Sequence, residues 1–209
     1  MQKNIPIFDM IFYFGFPLLI WHFSRNYIGD YYAMLLSSVP GIIYSIIRFI
    51  LLKKLNFLGL FMISNLVVGT LIDVLSGSAM QLQWNNVYYA YFISFLSFTT
   101  IIINRPIYLY FALDFVEMQG YNRKLMKKLY YQKKILRVFK WITFGFTFKE
   151  VLLATIKVWL IKKYGVDAFD KGIIIRQIIG WGLSGISFYG FIYISKLLQR
   201  QDNTAKNVN

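Results

Sequence analysis

Residues Asn104–Lys140 read NRPIYLYFALDFVEMQGYNRKLMKKLYYQKKILRVFK and hold nine of the chain's 23 lysines and arginines, against two acids, Asp114 and Glu117. In a soluble protein such a stretch would read as a nucleic-acid arm. Here it lies between two strongly apolar blocks, and aromatic residues mixed with basic ones are what a membrane–water interface selects. It is therefore read as the segment that fixes how the chain sits in a membrane.

The rest of the composition agrees. The 209 residues are 57% hydrophobic, 20% aromatic and 15% charged. Soluble domains average roughly 45–50% and about 25% for the first and last of these. The mean hydropathy is +0.51. A soluble domain of this size has too little interior to hide so much apolar surface, whereas in lipid that surface needs no cover. The net charge of +14 is concentrated between the apolar segments, which suits basic connections facing anionic headgroups. No cysteine is present, so redox compartment is not legible and thiol chemistry is excluded.

A helical span needs roughly 20 apolar residues. Six segments approach this: 5–22, 31–52, 57–75, 87–103, 141–161 and 173–197. The first follows Lys3 as a signal peptide would, but no small-x-small site comes after it, only His22, Phe23, Ser24 and Arg25, so it is read as a span. Pro40-Gly41 is expected to kink the second span. Asn104-Arg105-Pro106 is expected to end the fourth, because a residue preceding proline is driven out of the helical region. The fifth is the least apolar, with Lys149, Glu150 and Lys157 inside it. Residues 199–209 form a polar tail expected to fray. The expected fold is an all-α polytopic membrane domain over 1–198: three hairpins plus a cytoplasmic, interfacial amphipathic connection at 104–140.

Orientation follows from the cations. Six spans put Lys3, Arg48, Lys53, Lys54, the nine of the long connection, Lys196, Arg200 and Lys206 on one side, sixteen in all. The other side collects four, Arg25, Lys162, Lys163 and Lys171. The positive-inside rule then makes both termini cytoplasmic, and the expected location is a bacterial cytoplasmic membrane. A weak echo links the turns Tyr27-Ile28-Gly29-Asp30 and Tyr164-Gly165-Val166-Asp167, both on the outer side.

Small residues let helices approach in lipid. Ser37, Gly41 and Ser45, continued by Arg48, share one face of the second span. Asn65, Gly69 and Asp73 share a face of the third, and Gly180, Ser184 and Ser187 one of the sixth. These three faces are expected to meet. Charges within spans cost on the order of 2.5–3.5 kcal/mol at mid-membrane and normally find partners. Arg48, Asn65, Asp73, Glu150, Lys157 and Arg176 thus form a candidate intramembrane polar network. Asp73, Lys157 and Arg176 make its outer layer, with an Asp73–Arg176 pair, and Glu150 is its most central acid. Arg123, Lys124, Lys127, Lys128, Lys133, Lys134, Arg137 and Lys140 are the candidate contacts to anionic lipid. Asp114 and Glu117 could hold a cation, though a polar face against nearby Lys and Arg is the commoner use of such a pair.

No catalytic set is legible. The single His22 sits at a span end, and there is no H-E-x-x-H, G-x-S-x-G, Walker loop or metal-ligand spacing. The expectation is a non-enzymatic protein with no cofactor and no metal. Its partners would be membrane lipids, with a homodimer or membrane-protein partner open and no nucleic acid. The alternative is a small transporter or channel with a polar path around Glu150, Asp73 and Arg176.

Several features together carry a family resemblance. They are the short first hairpin, the stretch NLVVGTLIDVLSGS at Asn65–Ser78, the Arg105-Pro106 break, the long basic connection, and a final hairpin joined by a polar turn. This layout resembles the bacterial intracellular septation protein A family and covers nearly the whole chain, chiefly as a pattern of spans. The resemblance implies a small inner-membrane protein linked to envelope integrity and cell division, without enzymatic activity.

Overall fold

The structure, a computed structural model, describes residues 5–52 and 56–206; side chains are described except at 5–7, 51–52, 183–188, 195 and 197–206. Every element among the described residues is helical. They are α1 (Ile5–Met10), a π-helical turn (Ile11–Gly15), α2 (Phe16–Leu52), α3 (Phe57–Leu75), α4 (Ala79–Ile102), α5 (Ile107–Met118), α6 (Arg123–Tyr130), α7 (Lys133–Tyr164), a 3₁₀ turn (Gly165–Asp167) and α8 (Ala168–Lys206). Among the described residues, two helices are long and apolar enough to cross a membrane, Phe8–Ile50 and Phe57–Leu75. A third qualifies if α4 and α5, bent by 84° at their junction, count as one span. That is fewer than the six expected. The fifth segment falls short because Lys149, Glu150 and Lys157 lower its hydropathy, and much of the sixth has no described side chains.

The 43-residue helix is not one straight rod. Gly29 breaks it, at φ +78° and ψ 162°, a region essentially reserved for glycine. Arg48 then reaches Asp9 at 2.8 Å, and Tyr13 Oη lies 2.6 Å from Ser45 Oγ. A continuous helix would hold residues 9 and 48 roughly 58 Å apart. The segment is therefore two antiparallel arms. At Pro40-Gly41, where a kink is expected, the backbone stays helical, and it departs from helical φ/ψ at Gly29.

The chain divides into two compact units, Met1–Tyr91 with Leu152–Ile179, and Phe92–Val151 with Gly180–Asn209. In the first, the turns at the ends of the two arms, of α3 and of α7 gather together. Trp21, Ala33, Met34, Ala79 and Leu82 form a buried cluster against Val166 and Phe169. Val87, Leu160, Ile161 and Ala168 form another. Residues 79–86, expected as a polar connection, are instead the first turns of α4. Their polar side chains tether neighbours rather than solvate a loop. Gln83 Nε2 donates to the Val166 carbonyl at 3.0 Å, Asn85 to Ser76 Oγ at 2.9 Å, and Asn86 to Asp73 at 2.7 Å.

The second unit is built on α5. Leu109, Ala112 and Leu113 pack with Tyr130, Ile135, Phe139, Ile142 and Ile194. The break at Asn104-Arg105-Pro106 falls where the sequence places it, and a second follows at Gly120. Asn104 takes φ +60° before Pro106, and Gly120 takes φ +92°. Asn122 then caps α6 by accepting from the Lys124 and Leu125 N–H groups. The long basic connection is not a separate element to its end, because Lys133–Lys140 are the opening turns of the 32-residue α7. Ile135 and Phe139, which belong to the connection expected to be interfacial, are 1% and 0% exposed inside the protein. Residues 199–206 continue α8 rather than fray. Lys3, Lys53 and Lys54 lie outside the described residues.

Candidate functional site

In the first unit Arg48, Asn65, Asp73 and Lys157 of the expected network each find a partner on an adjacent element, and the carboxylate partner shown for Asp73 is Asn86 rather than the expected Arg176. Arg48 donates to Asp9 at 2.8 Å, as does Tyr44 Oη, so the second arm's cation meets the only acid of the first. Asn65 accepts from Tyr89 Oη at 2.8 Å. The Asp73 carboxylate accepts from Asn86, while Tyr31 Oη donates to the Asp73 and Val74 carbonyls that end α3. Lys157 donates to the Ala168 carbonyl at 3.1 Å. Its stem also occupies the space a Cβ on Gly172 would need, 2.9 Å from Nζ. This explains why a glycine faces that lysine.

Within the first unit, the small-residue faces of the second and third spans take separate partners. Gly41 and Ser45 pack on Tyr13 of the first arm, at 3.2 Å from a Gly41 Cβ. Asn65 and Asp73 point to α4. Nothing lies within 4 Å of a Cβ built on Gly69 or Gly180. Ser184 and Ser187 are outside the described side chains. On the second and third spans, each face has a polar or aromatic partner one helix away in sequence.

The two echoing turns do meet. Arg25 donates to Asp167 at 2.7 Å and to Asp30 at 3.1 Å, and the Trp21 and Phe169 rings sit 5.0 Å apart. The hydrogen bond to Asp167, together with the charges of both acids and against the effect of burial, holds the Arg25 guanidinium above its ordinary pKa.

In the second unit, Arg123 is one-third exposed and is held by two acids. It bridges Asp114 and Glu117, at 2.7 Å from the latter, and Asp114 is 0% exposed. Burial works against the charge on Arg123, but the bonds to both carboxylates outweigh it and raise its pKa. The acidic pair is thus a seat for arginine, not for a cation from solution. Lys149 and Glu150 form an ion pair at 3.0 Å. Burial, with Tyr110 Oη at 3.0 Å, pushes the Tyr131 phenol up to about 12.

The other candidate lipid contacts lie open. Lys124, Lys127, Lys128, Lys133, Lys134 and Arg137 are exposed and Lys140 is half-buried. The sequence reading missed what continues from them. Along α7, Lys133, Lys134, Arg137, Trp141, Phe144, Phe148, Val151, Thr155, Trp159, Lys162 and Lys163 are all exposed. At 100° per residue they fall on one face of the helix. Trp141 is 67% and Trp159 53% exposed. Eighteen residues separate them, about 27 Å of helix, close to the roughly 30 Å thickness of a bilayer's hydrocarbon core. Cations stand beyond the tryptophan at each end. Lys149, Glu150 and Lys157 fall off this face. The spacing of three and four among the aromatics was legible, but hydropathy averaged over the whole helix hides it.

No group of His, Cys, Asp and Glu suited to a metal ion occurs among the described residues. No family model, curated protein or solved structure matches the chain.

Proposed function

We propose that the chain is a non-enzymatic integral protein of a bacterial cytoplasmic membrane, crossing it six times with both termini on the cytoplasmic side. It acts in membrane or envelope homeostasis by binding lipids or other membrane proteins, as the resemblance to the septation protein A family implies. The observation that carries the crossing is the exposed face of α7. Its aromatic run ends in a tryptophan at each side, with cations beyond, the pattern of a lipid-facing helix between two interfaces. Charges inside the span are compatible with this because Lys149 and Glu150 pair with each other and Lys157 is bonded to a carbonyl. Two further observations support six crossings. Gly29 turns the first apolar helix into two arms, each about 31 Å long. The three turns expected outside, near Gly29, Gly77 and Gly165, gather at one end of the first unit.

The contact with lipid is made by Lys124, Lys127, Lys128, Lys133, Lys134, Arg137 and Lys140 on the cytoplasmic face. Each contributes on the order of 1 kcal/mol near an anionic surface. Pairing of Glu150 with Lys149 favours this reading over a transport path, which would keep the central acid free to exchange ligands.

Proteoliposomes test the proposal. The expected result is tighter association with vesicles of rising phosphatidylglycerol content and no solute flux. Turnover of a substrate, or a flux abolished by Glu150→Gln, would overturn it.

A further inference from the structure

The Lys133 end of the exposed α7 face carries charge that the protein does not answer. From Met118 to Lys149 the chain holds no acid. No ion pair joins Lys133, Lys134 or Arg137 to a residue whose side chain is described. Arg123, by contrast, has two carboxylates. Lys133, Lys134, Arg137, Trp141, Phe144 and Phe148 are all exposed and fall within about 100° of arc around the helix. Like charges three and four residues apart repel on a helix, and the opening turn of a helix is where its dipole disfavours cations. Lys133 and Lys134, each paired in this way with Arg137, carry both costs. Beyond the cations the rings make a ladder, with centroids 5.8 Å apart for Trp141 and Phe144 and 6.4 Å for Phe144 and Phe148. Phe148 lies about 10 Å along the helix from Trp141, about two-thirds of one leaflet of a roughly 30 Å hydrocarbon core.

Resting on the lipid-contact reading of this face, we infer that Lys133, Lys134 and Arg137 seat one diphosphatidylglycerol of the cytoplasmic leaflet. Its two phosphates lie on the cations and an acyl chain runs along the Trp141–Phe148 ladder. Arginine takes a phosphate through two parallel N–H donors, and lysine binds it as a point charge. A single phosphate would leave cations of this face still repelling one another. A second phosphate on the same molecule answers them without a second association, because the linkage holds it at high effective concentration. Trp141 suits the boundary between headgroup and chain, having an apolar body and an N–H donor. A soluble polyanion would leave the aromatic ladder uncovered, and a zwitterionic headgroup would bring an ammonium beside the cations.

The test uses the full chain in nanodiscs holding diphosphatidylglycerol and phosphatidylglycerol at equal phosphate content, with retained lipid read by native mass spectrometry after partial delipidation. Wild type is expected to keep one diphosphatidylglycerol about tenfold over phosphatidylglycerol, the scale of one charged hydrogen bond. Lys134→Gln combined with Arg137→Gln should bring the two lipids to near parity. Lys127→Gln combined with Lys128→Gln, on α6, should keep the preference. All four side chains are exposed, so both double variants should unfold at the wild-type temperature. Trp141→Ala should lower retention of diphosphatidylglycerol several-fold. Parity already in wild type, an unchanged preference in the Lys134 and Arg137 variant, or full retention in Trp141→Ala overturns the inference. So does an equal loss in the α6 variant, since the attraction would then be spread over the whole basic surface. Association with phosphatidylglycerol vesicles is measured on the same proteins. A chain that binds these vesicles without preferring diphosphatidylglycerol refutes the site alone, whereas a chain that binds neither lipid refutes the lipid-contact reading beneath it.

Discussion

Arg123 closes over the carboxylate of Asp114, a group with no solvent exposure of its own, and holds Glu117 at 2.7 Å with the same nitrogen. The contact pins the start of α6 to the last turns of α5 across the Gly120 turn. Removing Arg123 leaves a buried charge uncompensated, which costs about 3–5 kcal/mol in fully buried pairs. With Arg123 one-third exposed, the lower end of that range applies. Arg123→Ala should therefore lower thermal stability in detergent markedly, and Asp114→Asn combined with it should recover most of the loss. A double variant as unstable as Arg123→Ala would mean that the arginine acts through packing instead.

Gly29 sets the hairpin. Nothing lies within 4 Å of a Cβ placed there, so a substitution meets no clash and is penalised by backbone conformation alone. Gly29→Ala should cost about 1–3 kcal/mol, measured as a fall in unfolding temperature, with the Asp9–Arg48 contact as the first to loosen. A silent Gly29→Ala would mean that the arms are held by their packing and not by the turn.

Lipid contact and folding should separate cleanly among the basic residues. Changing Lys127, Lys128, Lys133 and Lys134 together to Gln should weaken binding to phosphatidylglycerol vesicles by about 4 kcal/mol at low salt, without changing the unfolding temperature. Arg123→Gln should do the reverse. Equal loss of vesicle binding in both would put Arg123 back on the lipid surface.

Alkaline pH provides a third probe. Folding favours the protonated phenol of Tyr131, so its stabilising contribution is complete below the ordinary tyrosine value of about 10 and is lost as pH rises through about 12. Tyr131→Phe should remove a late-titrating tyrosinate from the ultraviolet titration and flatten the fall in stability over that window. An unchanged titration curve would show that Tyr131 is not the raised group.

Much of this layout is readable in the sequence. Pro106, Gly120 and Asn122 mark their breaks because proline, a left-handed glycine and an asparagine cap each act locally. Asp9 and Arg48 fall at the same edge by span counting alone, and the structure joins them. Residues 81–86 mislead because QLQWNN is polar enough for a loop, while its amides satisfy partners on α3 and the Gly165 turn that no local reading supplies. Ile135 and Phe139 mislead because an amphipathic segment beside lysines fits a headgroup surface and a protein core equally well. The α7 stripe is hidden by averaging. A window that counts Lys149, Glu150 and Lys157 cannot see that they sit off the exposed face.

The number of crossings is most directly measured by cysteine accessibility, which this cysteine-free chain permits without background. Single variants Tyr27→Cys, Ser78→Cys and Tyr164→Cys should react with a membrane-impermeant maleimide on intact cells. Tyr121→Cys and Gln132→Cys should react only after the membrane is opened. Labelling of Tyr164→Cys only after permeabilisation, alongside Tyr121→Cys, would mean that α7 does not cross, and would contradict the account.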